Sequence, residues 1–398
     1  MGPDDKPVRD APVYHIGALP GQIPGKADGI DPHLPWSDDE DAKDRFRGLV
    51  KAAADVSGRS KAPADLEHFD EYLKLIWQLS LALPLKYAGD HPFDIKGDSG
   101  TIFLTAPLTE KTASFLELAK TKTLRDELGL TATDQPGNIP FDVIVDGVEL
   151  FRPIVLPKEL RRPSRVAAPM ILAGKVEEAF KKDELERAGG QLSFEAYLYW
   201  NSQIVPKETS GVLVRVREAS GSLFDRGFLK YQISEQNRLS QITAEIYVHE
   251  GLDAAINIDR ESFNYSHPHF LFIQKWLHRA LRLLINRNKG LAKEHLQAER
   301  KVQKVVKERG IVQSAMTVWE KQRGDESDLP LVENDLSQPA QEVGGVEIGW
   351  SDDGEDIDGA KASAIAIVLE AYGVLGQLDS DDRAALIRDL LKVLEENS

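Results

Sequence analysis

Gly251-Leu252-Asp253-Ala254-Ala255-Ile256-Asn257-Ile258-Asp259-Arg260-Glu261-Ser262-Phe263 is the stretch on which the reading of this chain turns. An apolar strand leads into it (Ile246, Tyr247, Val248), and apolar residues recur at helical spacing after it. The Arg-Glu pair therefore sits on a loop between a buried strand and a long amphipathic helix. A guanidinium there offers a planar fork of donors that matches phosphate, so Arg260 suits a sensor that reaches outward to an anion. The competing reading is an ion pair of Arg260 and Glu261 at the helix start, since most exposed charges only solvate a surface.

Downstream of that loop, Phe270, Ile273, Leu277, Leu281 and Leu284 predict a helix, widened by Trp276, Ala280 and Leu283 and interrupted at Gly310. Upstream, Leu192–Trp200, Val212–Val216 and Ala244–Val248 read as strands, with 222–236 as mixed loop and short helix. Phe141–Leu150 reads as a hairpin, because Asp146-Gly147 between alternating apolar runs is the chemistry of a type I′ turn. Nearer the start, Asp38, Asp39 and Glu40 precede a helical pattern through Phe46, Leu49, Val50 and Ala53. A second helix is expected from Leu66 to Ser80, with Asp65 as its cap and Pro84 as its end. Ile102–Thr105 reads as a strand and Glu110–Leu128 as a helix. The chain closes with two helices, Ala362–Leu375 and Ser380–Glu395, whose leucine stripe (Leu386, Leu390, Leu391, Leu394) two short helices cannot hide alone.

With 398 residues, 41% hydrophobic and 29% charged, the composition is that of a soluble globular protein of two or three domains. No apolar run reaches the roughly 18–20 residues that span a bilayer, so no membrane segment is expected. The N-terminus lacks the charged and apolar regions of a secretory signal, and the expected location is cytoplasmic. With no cysteine, disulfides, thiolate metal sites and a cysteine nucleophile are excluded. A formal net charge of −16 argues against nucleic-acid binding over the whole surface. Yet residues 275–309 hold eleven Lys or Arg against three Glu, whereas 324–360 hold twelve Asp or Glu and no Lys or Arg. A basic helix beside an acidic linker can pair within the molecule or leave one face for phosphates or a partner.

Four segments, in order, carry a family resemblance. Ala244-Glu245-Ile246-Tyr247-Val248-His249-Glu250-Gly251-Leu252-Asp253-Ala254-Ala255-Ile256-Asn257-Ile258-Asp259-Arg260-Glu261 resembles the catalytic-loop segment in the middle domain of the ninety-kilodalton heat-shock chaperones. Gly190-Gln191-Leu192-Ser193-Phe194-Glu195-Ala196-Tyr197-Leu198-Tyr199 is similar to that domain's first strand, and Gly211-Val212-Leu213-Val214-Arg215-Val216-Arg217 to its partner strand. Phe270–Leu284 is similar to the helix after the loop. Together, over roughly residues 139–290, they resemble the transducer domain of the GHKL ATPases: chaperone, MutL, gyrase B and MORC-type proteins.

The resemblance implies an α+β fold, with a layered α/β transducer domain whose second half is ribosomal S5-like. An N-terminal helical and mixed region and a C-terminal helical hairpin would flank it. The expected divisions are a Pro-rich lead-in at 1–35, a mixed region at 36–138, the transducer at 139–310, a helix end and acidic linker at 311–360 and a dimerisation hairpin at 361–398. It further implies that Arg260 reaches the γ-phosphate held by a neighbouring ATPase domain, in cis or in trans. Glu261 matches the family's following acid, and Asn264 falls where the family places an amide. ATP and magnesium would belong to that ATPase domain.

The chain itself shows no nucleotide-binding apparatus in its sequence: no Asn on a Glu-bearing helix, no Asp-x-Gly-x-Gly turn, no Gly-rich lid and no P-loop. No cofactor is therefore expected in this chain alone. Asp28-Gly29-Ile30-Asp31 and Val56-Ser57-Gly58-Arg59 are isolated glycine turns. His267, His269 and His278 lack the same-face spacing of a helical metal site and suit capping or core roles. The alternative to an ATPase relay is a non-enzymatic dimeric scaffold whose basic helix, 275–309, binds a partner protein or nucleic acid.

Overall fold

The computed structural model describes residues 34–37, 39–58, 69–105, 113–133, 142–232, 236–258, 262–323, 342–343, 346–347 and 359–395. In chain order its elements begin with helices α1 (Ala42–Gly58) and α2 (Glu71–Ala82). Strands β1 (Ile102–Thr105) and β2 (Ser114–Phe115), a short helix α3 (Leu124–Leu128), and strands β3 (Ile144–Val145) and β4 (Val148–Glu149) follow. Then come β5 (Met170–Val176), α4 (Leu185–Ala188), β6 (Ser193–Trp200), β7 (Gly211–Val216), α5 (Gln236–Leu239) and β8 (Ile242–Glu250). The last elements are the long helix α6 (Pro268–Arg323), β9 (Glu342–Val343), β10 (Val346–Glu347), α7 (Gly359–Ala371) and α8 (Ser380–Glu395). The fold class is α+β, as expected. Among the described residues no helix is long and apolar enough to cross a membrane.

The chain divides into two units, 1–292 and 293–398, and α6 runs through the boundary. The first unit is built on a six-stranded mixed sheet in the order β2-β1-β5-β6-β8-β7. β5, β6 and β8 pair antiparallel, whereas β1 runs parallel to β5 and β7 parallel to β8. Strand alternation sorts the side chains cleanly. Leu172, Ala196, Leu198, Val214, Ala244 and Ile246 join a core with Ile273, Leu277, Leu281 and Leu284 of α6. The opposite face, with Tyr197, Tyr199 and Tyr247, packs against Phe93, Leu124 and Leu130. Both faces are thus buried, so β6 is intermediate at Ser193 and buried from Phe194 to Trp200. A further cluster joins Phe46 and Leu49 of α1 and Ile76 and Trp77 of α2 to Phe151 and Leu213.

In the second unit, α7 and α8 pack on the last turns of α6. Ile367, Ile387 and Leu391 are buried with Val312, Ala315 and Trp319. The two helices do not hide their apolar stripe alone: α6 covers part of it, with Leu391 buried and Leu386 and Leu390 half-buried. Leu394 remains half exposed at 52%.

Other expectations change on contact with the structure. The helix expected over Glu110–Leu128 shrinks to α3; residues 114–115 instead extend the sheet beside β1. α3 starts at a full capping box, Thr123 with Asp126, and stops at Gly129 in a left-handed conformation, so its length is set by its caps. The cap of α2 is Asp70, whose carboxylate accepts Leu73 N–H at 2.9 Å; Asp65 lies outside the described residues. α6 does not break at Gly310. A helical glycine costs only about 1 kcal/mol, and the packed turn at Val312, Ala315 and Trp319 just beyond it offsets that. The 36–138 region does not stand apart from the sheet, because β1 lies in register with β5 from Ile102–Met170 to Thr105–Ala173. The Asp146-Gly147 hairpin forms as read, with both residues at positive φ (47° and 77°).

Candidate functional site

β8 ends at Glu250, and the chain turns out of the sheet through Gly251 (φ 86°) and Leu252 (φ 67°). A side chain at 251 would place its Cβ 2.6 Å from the carbonyl oxygen of Gln191 and 2.9 Å from His269 Nδ1, so the turn requires glycine. His269, buried on the first turn of α6, fastens it. Its Nδ1 accepts Leu252 N–H at 2.9 Å, which leaves Nε2–H to donate to the Gly190 carbonyl at 3.1 Å. Beyond that latch the loop closes as a hairpin. Ile256 and Phe263 form an antiparallel bridge, and Asn257 N–H donates to Ser262 O at 2.9 Å. Asn257 Nδ2 donates to Ser262 Oγ at 2.8 Å, and Asn264 N–H to Ala255 O at 2.7 Å. Ile258, the last described residue before the tip, is fully exposed.

Of the three sequence-derived site residues, Arg260 and Glu261 lie outside the described residues. Asn264 sits at its base: its Oδ1 accepts Ser266 N–H at 3.0 Å and its carbonyl accepts His267 N–H at 3.1 Å. It therefore shapes the entry into α6. His269 and His278 have structural work, His278 Nε2 donating to the Phe228 carbonyl at 3.0 Å. Among the described residues no group of three or more His, Asp or Glu is arranged to hold a metal ion.

The segment beside the loop is strained. Phe228, Leu229 and Lys230 all take positive φ (47°, 55° and 65°), which side-chain-bearing residues rarely adopt in succession. The Asp225 carboxylate holds the turn by accepting Gly227 N–H at 2.8 Å and Leu229 N–H at 2.7 Å. Gln274 of α6 donates to Leu229 O at 2.7 Å. Lys230 lies 3.7 Å over the ring of Tyr265, tying this turn to the C-terminal arm of the loop.

Behind the loop, on the sheet face away from α6, lies a buried polar network that residue patterns did not foretell. Glu245 of β8 is fully buried and receives Arg215 Nε at 2.6 Å, Tyr197 Oη at 2.7 Å and Tyr87 Oη at 2.8 Å. Arg215 also donates to Leu81 O at 2.9 Å. Arg152, equally buried, reaches Tyr87 Oη at 3.3 Å and Glu218 Oε2 at 3.2 Å. Burial alone would raise the Glu245 pKa; Arg215 and Arg152 overcome it and hold the carboxyl below its usual range. Burial, reinforced by the Glu245 charge, pushes the Tyr87, Tyr197 and Tyr247 hydroxyls well above theirs. The network binds β6, β7 and β8 to the segments around Tyr87 and Arg152. Its sequence signal was Arg215 and Glu245 at interior positions of apolar strands.

Glu195 on β6 makes a second clamp, accepting Thr131 N–H and Ala132 N–H at 2.7 Å each and Thr131 Oγ1 at 2.9 Å. Burial raises its pKa, but His249 and the three donors from Thr131 and Ala132 outweigh that and bring it to about 2. A carboxyl lowered from 4.5 in this way stabilises the fold above about pH 4.5 and loses that contribution as pH falls towards 2. Glu195→Gln is therefore expected to be less stable than wild type by about 3 kcal/mol at neutral pH. The gap should close between pH 4.5 and 2 in denaturant titrations; a gap independent of pH would refute the assignment.

No family model matches this chain, and no match was found among curated proteins or among solved structures.

Proposed function

We propose that the chain is the transducer and C-terminal region of a GHKL-type ATPase, relaying nucleotide state to a dimerising C-terminus. The observation that supports this best is the loop between a buried strand and α6, latched by His269 and closed by the Ile256–Phe263 bridge. A loop clamped at its base leaves less ordering to do when Arg260 meets a γ-phosphate on an adjoining domain. ATP and magnesium come from that domain, in cis or in trans, and the relay works in the cytoplasm. Glu261 is the acid that follows Arg260 in the sequence, and Asn264 shapes the base of the loop.

The test is reconstitution with a GHKL nucleotide-binding domain, fused upstream of the chain or added to it. ATP turnover by that domain should rise when the chain is joined to it or added; unchanged turnover refutes the relay. The chain alone should bind ATP no more tightly than about 1 mM, a free energy near −4 kcal/mol. Micromolar binding by calorimetry would show that the sequence hides a nucleotide site.

Dimerisation is assigned to the second unit. Ile311, Ala315, Val318, Ile365, Val368 and Leu390 line an apolar groove of about 380 Å³ between α6, α7 and α8, with Leu394 exposed nearby. Filling such a groove with a second copy removes apolar surface from water in a closed two-fold pair. Light scattering should give a dimer for the chain and a monomer for Leu390→Glu with Leu394→Glu. A wild-type monomer at micromolar concentration rules out the dimer.

A further inference from the structure

The part of α6 between Lys293 and Arg309 has few neighbours: most of its residues are exposed, and Leu296, Val305 and Glu308 are half-buried. Its charges are not spread evenly around it. At about 100° per residue, Lys293, Arg300, Lys304 and Lys307 fall within a sector of about 60°, and all four are exposed. They span about 21 Å at 1.5 Å per residue. Glu294 and Glu299 lie off this sector; Glu308, the nearest acid, sits 3.8 Å from Lys304. The same pattern of exposed bases continues upstream in the sequence at Lys289, Arg282 and Lys275, at intervals of four, seven and seven residues.

We propose that this basic ridge of α6 binds the phosphate backbone of duplex nucleic acid, independently of the relay reading. Three observations choose this occupant. First, a row of like charges along one helix is complementary to a row of phosphates and repels a second copy of itself. Second, α6 carries no Phe, Tyr or Trp from Leu277 to Val318, so it offers no platform on which unpaired bases could stack. Third, the opposite face presents only Val302 and Val306 as large exposed apolar residues, too little for a helix lying in a membrane interface. Contacts to phosphates without base contacts position a protein on a duplex without reading its sequence. The chain's net charge of −16 confines such binding to this local surface.

The full chain is titrated into a fluorescent DNA duplex of about thirty base pairs, and anisotropy is followed as salt rises. Four phosphate contacts predict an affinity that falls about fifty-fold between about 50 and 150 mM salt, a slope near −0.9 per contact. Replacing Lys293, Arg300, Lys304 and Lys307 by Gln, a comparable helix former, should weaken binding at least about fifty-fold at the lower salt and remove most of that slope. Each single Gln replacement should reduce the slope by about one. Gln at Lys120, Lys122, Lys181 and Lys182 changes net charge equally and should leave binding as it was. The proposal is overturned by any one of four results: no wild-type binding at about 50 mM salt, an equal loss in the control variant, tighter binding to single-stranded DNA, or equal binding to polyglutamate or anionic vesicles.

Discussion

Glu245→Ala is expected to destabilise the protein by about 3–5 kcal/mol, a large share of the roughly 5–15 kcal/mol that holds an ordinary domain together. The carboxylate is wholly buried and faces two wholly buried guanidinium-bearing residues, Arg215 and Arg152. Removing it strands positive charge in a dry interior and deprives the Tyr87 and Tyr197 hydroxyls of their acceptor. Arg215 Nη2 is already buried without a hydrogen-bond partner, so the site has little spare capacity to absorb the loss. Glu245→Gln keeps the shape and one acceptor oxygen and should cost less than Ala. A Glu245→Met, Arg215→Met pair, which removes both charges, should recover part of the single-variant loss. Urea unfolding monitored by tryptophan fluorescence orders the variants. If Glu245→Ala loses less than about 1 kcal/mol, the network is not what joins the sheet to the segments over it.

Arg260→Ala should lower ATP turnover by about a hundredfold or more when the nucleotide-binding domain is present, the loss that accompanies removal of a transition-state cation. Folding should stay as it was, because the described loop closure runs through residues 255, 257, 262 and 264 and through His269. Substrate affinity should change far less than turnover, since a charge that meets the γ-phosphate chiefly in the transition state acts on kcat. Arg260→Lys should recover only part of the rate: an ammonium keeps the charge but lacks the planar fork. Full turnover in Arg260→Ala would return Arg260 and Glu261 to a surface ion pair and remove the basis of the relay.

Local chemistry made a good part of this molecule legible from its residues. The Asp146-Gly147 turn carries its own φ preference, and the strand, loop and helix around 246–284 announce themselves by a change of period from two to 3.6. The C-terminal helices begin or end within a few residues of where their caps and periodicity put them. In each case the deciding contacts lie within one turn of the residue concerned. The loop that carries the candidate site was legible for the same reason, because a loop between a buried strand and a helix is itself a local pattern.

Long-range pairing was left to the tertiary structure. β8 alternates Thr243, Glu245, Tyr247 and His249 with Ala244, Ile246 and Val248, which by itself describes a strand with one wet face. That face is dry through Tyr247 because Tyr87, 158 residues away from Glu245, and Arg152 close over it. Likewise β1 joins β5 across more than sixty residues, and the end of α6 finds α7 and α8 across the acidic stretch. The residues alone determined most of the turns, caps and amphipathic helices, since those preferences are set by neighbours in the chain, but not β2 or β5, which are strands by virtue of their sheet partners. Only the folded structure decided which charges are buried and which helix faces are covered, because that depends on partners brought together from far along it.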